Sequence, residues 1–391
     1  MSIGALKSGI AKLQFYGLEF LDNCIFYGGK LAGRFIFPVL LIKDSQFYLN
    51  QKSYFPECQR KSKFRIVLDQ LIYIMRTGEI NRDYFLYGFD RKTKNDFKNY
   101  VPWLTFTHAR NTLNERAEIQ YDPYNYVCML RDKFVFEAYC KRVNLNTPEN
   151  IGFINEGQLF LIKENKFFPV KEITNLKLEA FCKRKVSYGG GMTDDVLKVR
   201  IDDGKIIINK DIEKSAEEFI AMLDDDHWIL QKPIVNQDPE YSKFHPHSVN
   251  TMRIITAKKG TVIKVLFASF RMGVGGRMVD NWSSGGISIG INTEEGTLKK
   301  YGLYNPQFGT KAEIHPDTGI VFEGYKLPYW EEILHYLKHA HHLFYGFHSI
   351  GWDVAITTDG IILIEGNDNW NTSSAQRYKG AKKVFNEYFK L

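Results

Sequence analysis

Thiol chemistry has little to work with in this chain. Its 391 residues include five cysteines, Cys24, Cys58, Cys128, Cys140 and Cys182. The number is odd and no C-x-x-C pair occurs, which argues against a disulfide framework and a thiolate zinc site and points to a reducing cytoplasm. No uninterrupted apolar run approaches the roughly 20 residues of a spanning helix, and no charged-then-apolar leader precedes a small-residue cleavage site. Neither export nor membrane integration is therefore expected. Internal repeats, low-complexity segments, a basic tail and a convincing Ser/His/Asp or Cys/His set are absent too. His245 and His247 lack a third close ligand and are read as a structural or substrate-facing pair, not a metal site.

What is present has the balance of a globular protein, 44% apolar and 25% charged, with length for two or three domains. Lysine and arginine exceed the acids by 52 to 45, a net charge of +7. Spread along the chain, this excess suits an anionic small molecule or an anionic membrane face, and no nucleic-acid partner is expected. Residues 1–125 read as a helix-rich domain without a catalytic constellation, in which Tyr84, Phe85, Tyr87, Phe89 and Trp103 are taken as core, with a sugar-binding platform as the alternative. The run FIFPVLLI at 35–42 reads as a buried element. Its basic neighbours Lys7, Lys12, Lys30 and Arg34 support an alternative, peripheral contact of residues 1–45 with the inner membrane face.

Two further units are expected, at 126–230 and 231–391. The first holds a helix from Arg131, short alternating strands over 151–200, an amphipathic helix over 211–223, and a strand from 227 that becomes a connector at Pro233. The second holds a sheet from Ser248 to Ile291, a helix over 329–345 and a closing hairpin.

The chemistry concentrates in that hairpin, SIGWDVAITTDGIILIEGNDNWN. Asp353 lies on its first strand. Glu365 and Asn367 lie two residues apart on the second, so their side chains share a face. Two carboxylates and an amide oxygen form a hard donor set that suits magnesium better than zinc. Upstream, KRKVSYGGGM puts Lys183 near a strand end before Gly189, Gly190 and Gly191, whose backbone N–H groups suit phosphate oxygens. Gln231, Lys232, Pro233 and Ile234 form a connector able to read an adenine edge, with Gln237 and Asp238 placed to hold ribose hydroxyls. Arg253, Arg271, Arg277 and Asn281 add anion-binding groups.

The order of these elements resembles the ATP-grasp superfamily. The wording of SVNTMRIIT, FRMGVGGRMVDNWSSGGI and GWDVAITTDGIILIEGNDNWN is most similar to its sugar-transfer-associated family, found beside capsule and O-antigen genes. The resemblance covers roughly residues 132–371. It implies an α+β fold in which two lobes with antiparallel sheets clasp ATP, preceded by the helix-rich domain. It also implies Mg²⁺ on Asp353, Glu365 and Asn367, phosphates at Lys183 under the three glycines, and adenine between Gln231, Lys232 and Ile234. Lys133 is the nearest candidate for a further phosphate-binding lysine, although Glu137 stands at the strict spacing. Arg253 would screen the approaching anion, while Arg271 and Asn281 would hold an acyl phosphate. The implied activity is ligation of a carboxylate to an amine. A sugar kinase on the same fold and a nonenzymatic nucleotide- or glycan-binding scaffold are the alternatives.

Overall fold

Apolar residues at three- and four-residue spacing become helices in the first part of the chain: α1 (Ile3–Lys43), α2 (Ser45–Leu49), α3 (Lys63–Thr77) and α4 (Trp103–Arg116). The computed structural model describes residues 3–116, 126–186, 196–209, 211–223, 228–277, 280–389 and 391, without side chains at 3–19, 47–48 and 115–116. Ser62 starts α3 by accepting the Arg65 N–H, and Gly78 ends it at φ 77°, a conformation that glycine adopts without strain. A Cβ on Gly78 would lie 2.3 Å from the Lys30 carbonyl oxygen, and one on Gly33 would lie 2.1 Å from the Gly78 oxygen. Helix α1 thus meets the end of α3 backbone to backbone.

This packing corrects two expectations. Of residues 35–42 only Leu41 is buried, while Phe35, Val39 and Ile42 are exposed. Residues Phe20–Lys43 also form a 24-residue helix long and apolar enough to cross a membrane by length and composition. Lys30 and Arg34, which interrupt the run in sequence, turn toward the protein. Lys30 Nζ donates to Thr105 Oγ1 at 3.0 Å and Arg34 Nε to the Met75 carbonyl at 2.9 Å.

Tyr84, Phe85, Tyr87 and Phe89 are core as expected, clustered with Tyr54, Tyr100 and Leu303. Trp103 is different and lines the main cleft.

Two short helices follow, α5 (Cys128–Arg131) and α6 (Lys133–Arg142), the latter capped by Asp132, which accepts from the N–H groups of Phe134 and Val135. The first sheet is built from β1 (Asn150–Asn155), β2 (Gln158–Leu161), β3 (Lys166–Phe168), β4 (Leu178–Arg184), β5 (Val196–Asp202), β6 (Lys205–Ile208), β7 (Ile212–Lys214) and β8 (Trp228–Gln231), with α7 (Val170–Ile173) and α8 (Ala216–Ala221) packed on it. Its order is β3-β2-β1-β8-β4-β5-β6-β7. The single helix expected over 211–223 is replaced by β7 and α8. Residues 212–214 pair with β6 as an edge strand, and Ser215 then opens α8 through a reciprocal capping box with Glu218.

After α9 (Pro239–Ser242), the second sheet comprises β9 (Thr251–Lys259), β10 (Val262–Met272), β11 (Ile287–Ile291), β12 (Leu298–Leu303), β13 (Lys311–Ala312), β14 (Ser349–Thr357) and β15 (Gly360–Asn367), in the order β13-β12-β11-β10-β9-β14-β15. Helix α10 (Trp330–Leu343) contributes Trp330, Ile333 and Leu337 to the core on one face, beside Ile254, Phe270 and Trp352. Phe136 and Cys140 of α6 join the same core, although residues 126–145 precede the first sheet in sequence. On the other face Ile255 and Ala257 pack with Phe106 of α4 and with Phe385 and Phe389 of α12 (Lys382–Phe389), which follows α11 (Ser373–Gln376).

Asn114 ties α4 to the hairpin. Its buried amide donates to the carbonyls of Ser349 (3.0 Å) and Asp368 (3.1 Å) and accepts from the N–H groups of His348 and Ser349 (both 3.0 Å). Asn114→Ala orphans these groups at about 1–3 kcal/mol for a buried unsatisfied group. Urea unfolding should show a loss of about 3 kcal/mol, and a loss below about 0.5 kcal/mol would show that the link is dispensable.

Candidate active site

The register of the second sheet lines up its charged residues. Glu365 on β15 is opposite Asp353 on β14, Asp353 is opposite Arg253 on β9, Arg253 is opposite Ser269 on β10, and Ser269 is opposite Gly290 on β11. Four strand spacings of about 4.8 Å make this row roughly 19 Å long. From Glu365 to Ser269 it floors a cleft of about 1060 Å³ whose other walls come from the first sheet, the connector and α4.

Asp353 is the most heavily bonded member of the row. Arg253 Nε and Nη2 both bond its carboxylate, the latter at 2.8 Å, and Arg271 Nη2 approaches Oδ2 at 2.9 Å. Burial alone would raise the Asp353 pKa, but the two guanidiniums outweigh it and hold the carboxyl far below its usual range. Arg271 also reaches Thr251 Oγ1 at 2.7 Å and lies 3.8 Å from Asp280, whose carboxylate accepts from the Thr251 N–H. Burial raises the Asp280 pKa despite Arg271.

The opposite wall carries Lys183 near the end of β4. Its Nζ donates to Gln231 Oε1 at 2.7 Å, and Gln231 Nε2 donates to Asn150 Oδ1 at 3.2 Å. Burial, aided by the nearby Lys133 charge, lowers the Lys183 pKa to about 8. A partly desolvated ammonium so placed gains strongly from an arriving anion.

The cleft collects most of the residues expected from sequence: Lys133, Lys183, Gln231, Lys232, Ile234, Arg253, Arg271, Asn281, Asp353, Glu365 and Asn367 all line it. Asp238 is a correction. It is buried, caps α9 by accepting the Glu240 N–H at 2.8 Å, and is not among the lining residues. Helix capping uses that carboxylate, so it does not face the cleft as a ribose ligand would. Glu137 is buried in the α6 packing, with its pKa raised by burial. His245 is structural, bonded to Ser248 Oγ at 2.9 Å and the Gly275 carbonyl at 2.6 Å. Gly189, Gly190 and Gly191 lie outside the described residues.

The hairpin donors fit a hard cation in part. Asn367 Nδ2 donates to Glu365 Oε1 and to the Gly351 carbonyl, both at 3.2 Å, so the amide is oriented beside the carboxylate. Glu365 and Asn367 thus present oxygens at the cleft, while Asp353 is engaged by guanidiniums. Among the described residues no three His, Cys, Asp or Glu side chains close around a point. Such a site suits Mg²⁺, which takes few protein ligands and is completed by phosphate and water.

Sequence reasoning missed the far end of the cleft. Trp103, Thr107 and Arg110 line it from α4, with Trp370 and Arg377 from the segment after the hairpin. Arg110 Nη1 donates to the Trp370 carbonyl, and Arg377 Nη1 to the Ser288 carbonyl at 3.0 Å. Arg377 Nε is buried without a hydrogen-bond partner among the described residues. The only local signal was the i, i+4, i+7 spacing of 103, 107 and 110, which any helix face shares.

Two antiparallel sheets that face each other across lysines on one side and carboxylates with an amide on the other define the ATP-grasp class. The profile of the sugar-transfer associated ATP-grasp family matches residues 112–384, and the chain belongs to that family. Among curated proteins none matches. Similar solved structures include an N5-carboxyaminoimidazole ribonucleotide synthetase in its ADP complex (11% identity, 63% of this chain, 47% of that chain, TM-score 0.37). An L-amino acid ligase from Bacillus licheniformis (11%, 67%, 46%, 0.36) and a D-alanine-D-alanine ligase from Helicobacter pylori (12%, 67%, 58%, 0.36) are others. The chain spans about half the length of the structures it matches.

The Lys183 pKa sets a pH dependence. Below pH 8 the ammonium is charged in the free cleft and available to phosphate. Above it, binding must first take up a proton, so ATP affinity falls by up to about tenfold per pH unit. Titrations from pH 7 to about 9.5 should show this loss in the wild type and little of it in Lys183→Arg, whose guanidinium stays charged. A flat wild-type profile would remove Lys183 from the phosphate site.

Proposed function

We propose that the protein is an ATP-dependent carboxylate–amine ligase that joins an amine such as an amino acid to a sugar carboxylate, in the assembly of a surface polysaccharide such as a capsule or O-antigen. Such a reaction draws on cytoplasmic ATP. The observation that carries this reading is the meeting, in one cleft, of Lys133 and Lys183 from one wall with the Arg253–Asp353–Arg271 cluster, Glu365 and Asn367 on the other.

In the reaction, a substrate carboxylate oxygen attacks the γ-phosphorus of ATP and the bond to ADP breaks, giving an acyl phosphate. The amine nitrogen then adds to the acyl carbon, phosphate leaves, and the amine loses a proton. Lys183, desolvated beside Gln231, receives phosphate oxygens. Arg253 and Arg271, positioned by Asp353, face the negative charge that builds on the transferred group. Glu365 and Asn367 would hold Mg²⁺, which supplies charge neutralisation of phosphate oxygens when bound, while Asp353 is taken up by the two guanidiniums. No enzyme nucleophile is required.

Two features support a second, hydroxyl-bearing anionic substrate. The cleft is at least as large as a typical single-ligand pocket of about 300–1,000 Å³. Its far end offers Arg377, whose Nε is buried without a hydrogen-bond partner among the described residues, for a carboxylate, with Arg110, held by Asn111 and the Trp370 carbonyl, adding its charge. Trp103 with Ser283, Ser373 and Ser374 suits a sugar ring and its hydroxyls.

Uronic acids and amino acids screened together with ATP and Mg²⁺ should release ADP and phosphate only when carboxylate and amine are both present, with the amide detected by mass spectrometry. ADP release with a hydroxyl acceptor and no free phosphate would make the protein a kinase. Glu365→Gln keeps the hairpin shape but removes a charge, and should cost about 4 kcal/mol in the transition state, roughly a thousandfold in turnover. Asn367→Ala should cost less and be partly rescued by excess Mg²⁺. Near-normal turnover of Glu365→Gln, with unchanged circular dichroism, would exclude the hairpin from catalysis.

A further inference from the structure

Over residues 20–43, the part of helix α1 whose side chains are described, the helix is held along one side. Phe26 stacks on His108 with ring centroids 4.0 Å apart, Lys30 bonds Thr105, Gly33 meets Gly78, and Leu41 is buried. The opposite side carries Leu21, Ile25, Leu31, Phe35, Val39 and Ile42, each between 53 and 72% exposed. These positions follow the helical repeat, so they form one continuous apolar stripe. The outward face of α3 adds Phe64, Ile72 and Met75, exposed by 78, 39 and 56%. Lys43 of α1 and Lys63, Arg65 and Arg76 of α3 are exposed, Arg65 being paired with the buried Asp69 at 3.0 Å, against the exposed acids Asp22 of α1 and Asp44 just after it.

We propose that this face docks in the plane of an anionic lipid bilayer. A broad apolar stripe with aromatics and a cationic border is the pattern of an interfacial helix. Spanning is excluded by the packed side, because a spanning α1 would strip Lys30 and Arg34 of their partners and carry both into hydrocarbon. A second copy of the chain fits less well. A two-fold interface would set each basic border against itself, whereas anionic headgroups neutralise it.

The docking has a consequence for the cleft. Helix α4 turns Thr105 and His108 toward α1, and Trp103, Thr107 and Arg110 into the cleft. One helix thickness, about 10 Å, therefore separates the docking helix from the far end of the cleft. A docked protein presents that end to molecules held at the lipid surface. The docking itself does not depend on the ligase reading, whereas the delivery of a lipid-held substrate rests on it.

The test is sedimentation of the full chain with vesicles of phosphatidylcholine alone or mixed with phosphatidylglycerol. Binding to the anionic vesicles should be stronger by at least about tenfold and should weaken with salt. The double substitution Phe35→Glu with Val39→Glu should reduce it at least about tenfold while ATP affinity stays unchanged, since both side chains are exposed and remote from the cleft. Lys63→Glu with Arg76→Glu should bring anionic vesicles down to the neutral level. No binding to anionic vesicles, or binding that survives the substitutions on the stripe, would overturn the proposal. A dimer in lipid-free buffer that Phe35→Glu with Val39→Glu dissociates would assign the face to a second copy and overturn it as well. Loss of turnover without loss of vesicle binding would bear on the ligase reading alone.

Discussion

A carboxylate buried between two guanidiniums is the contact on which the rest of the site depends. Asp353, Arg253 and Arg271 sit on three adjacent strands, and a buried charge is tolerated only when it is paired and hydrogen-bonded. Slipping β14 by one residue would turn Asp353 to the core face and leave both arginines without their partner. The pairing thus ties sheet register to site geometry. Arg253 and Arg271 are shared by Asp353, Glu365 and Asp280, the last two each 3.8 Å from one guanidinium, so the positive charges of the cleft floor are matched and Lys183 and Lys133 add positive charge from the other wall.

The N-terminal helices are part of this architecture and not an appendage to it. Their aromatic core closes on Leu303 of the second sheet, α4 shares a core with α12, and Asn114 bonds both ends of the hairpin region. Because α4 faces α1 on one side and the cleft on the other, a single helix connects the exposed apolar surface to the substrate end of the site.

The hairpin was legible because its signal is local. A turn at Thr358, Asp359 and Gly360 between alternating strands sets the register, and the two-residue period then places Glu365 and Asn367 on one face. Lys183 was legible for a similar reason, at the end of a strand before glycines. Failures arose where burial decides. Asp238 has the composition of a ribose ligand, but its backbone context makes it a helix cap. Residues 211–223 have helical spacing, yet pairing with β6 and the cap at Ser215 divide them. Trp103 looks like core by composition and proves to line the cleft.

By itself the sequence determined the order of the motifs, the strands that carry them and the family they resemble, since each depends on neighbours within a few residues. Tertiary structure alone decided that Asp353 is bonded by two arginines, that Arg110 and Arg377 reach the cleft from opposite ends of the chain, and that α1 keeps its apolar side outward. These features depend on which surfaces meet. Lys30 and Arg34 show the reason: in sequence they interrupt an apolar run, whereas in the fold they turn inward to Thr105 and Met75 and leave the apolar stripe continuous.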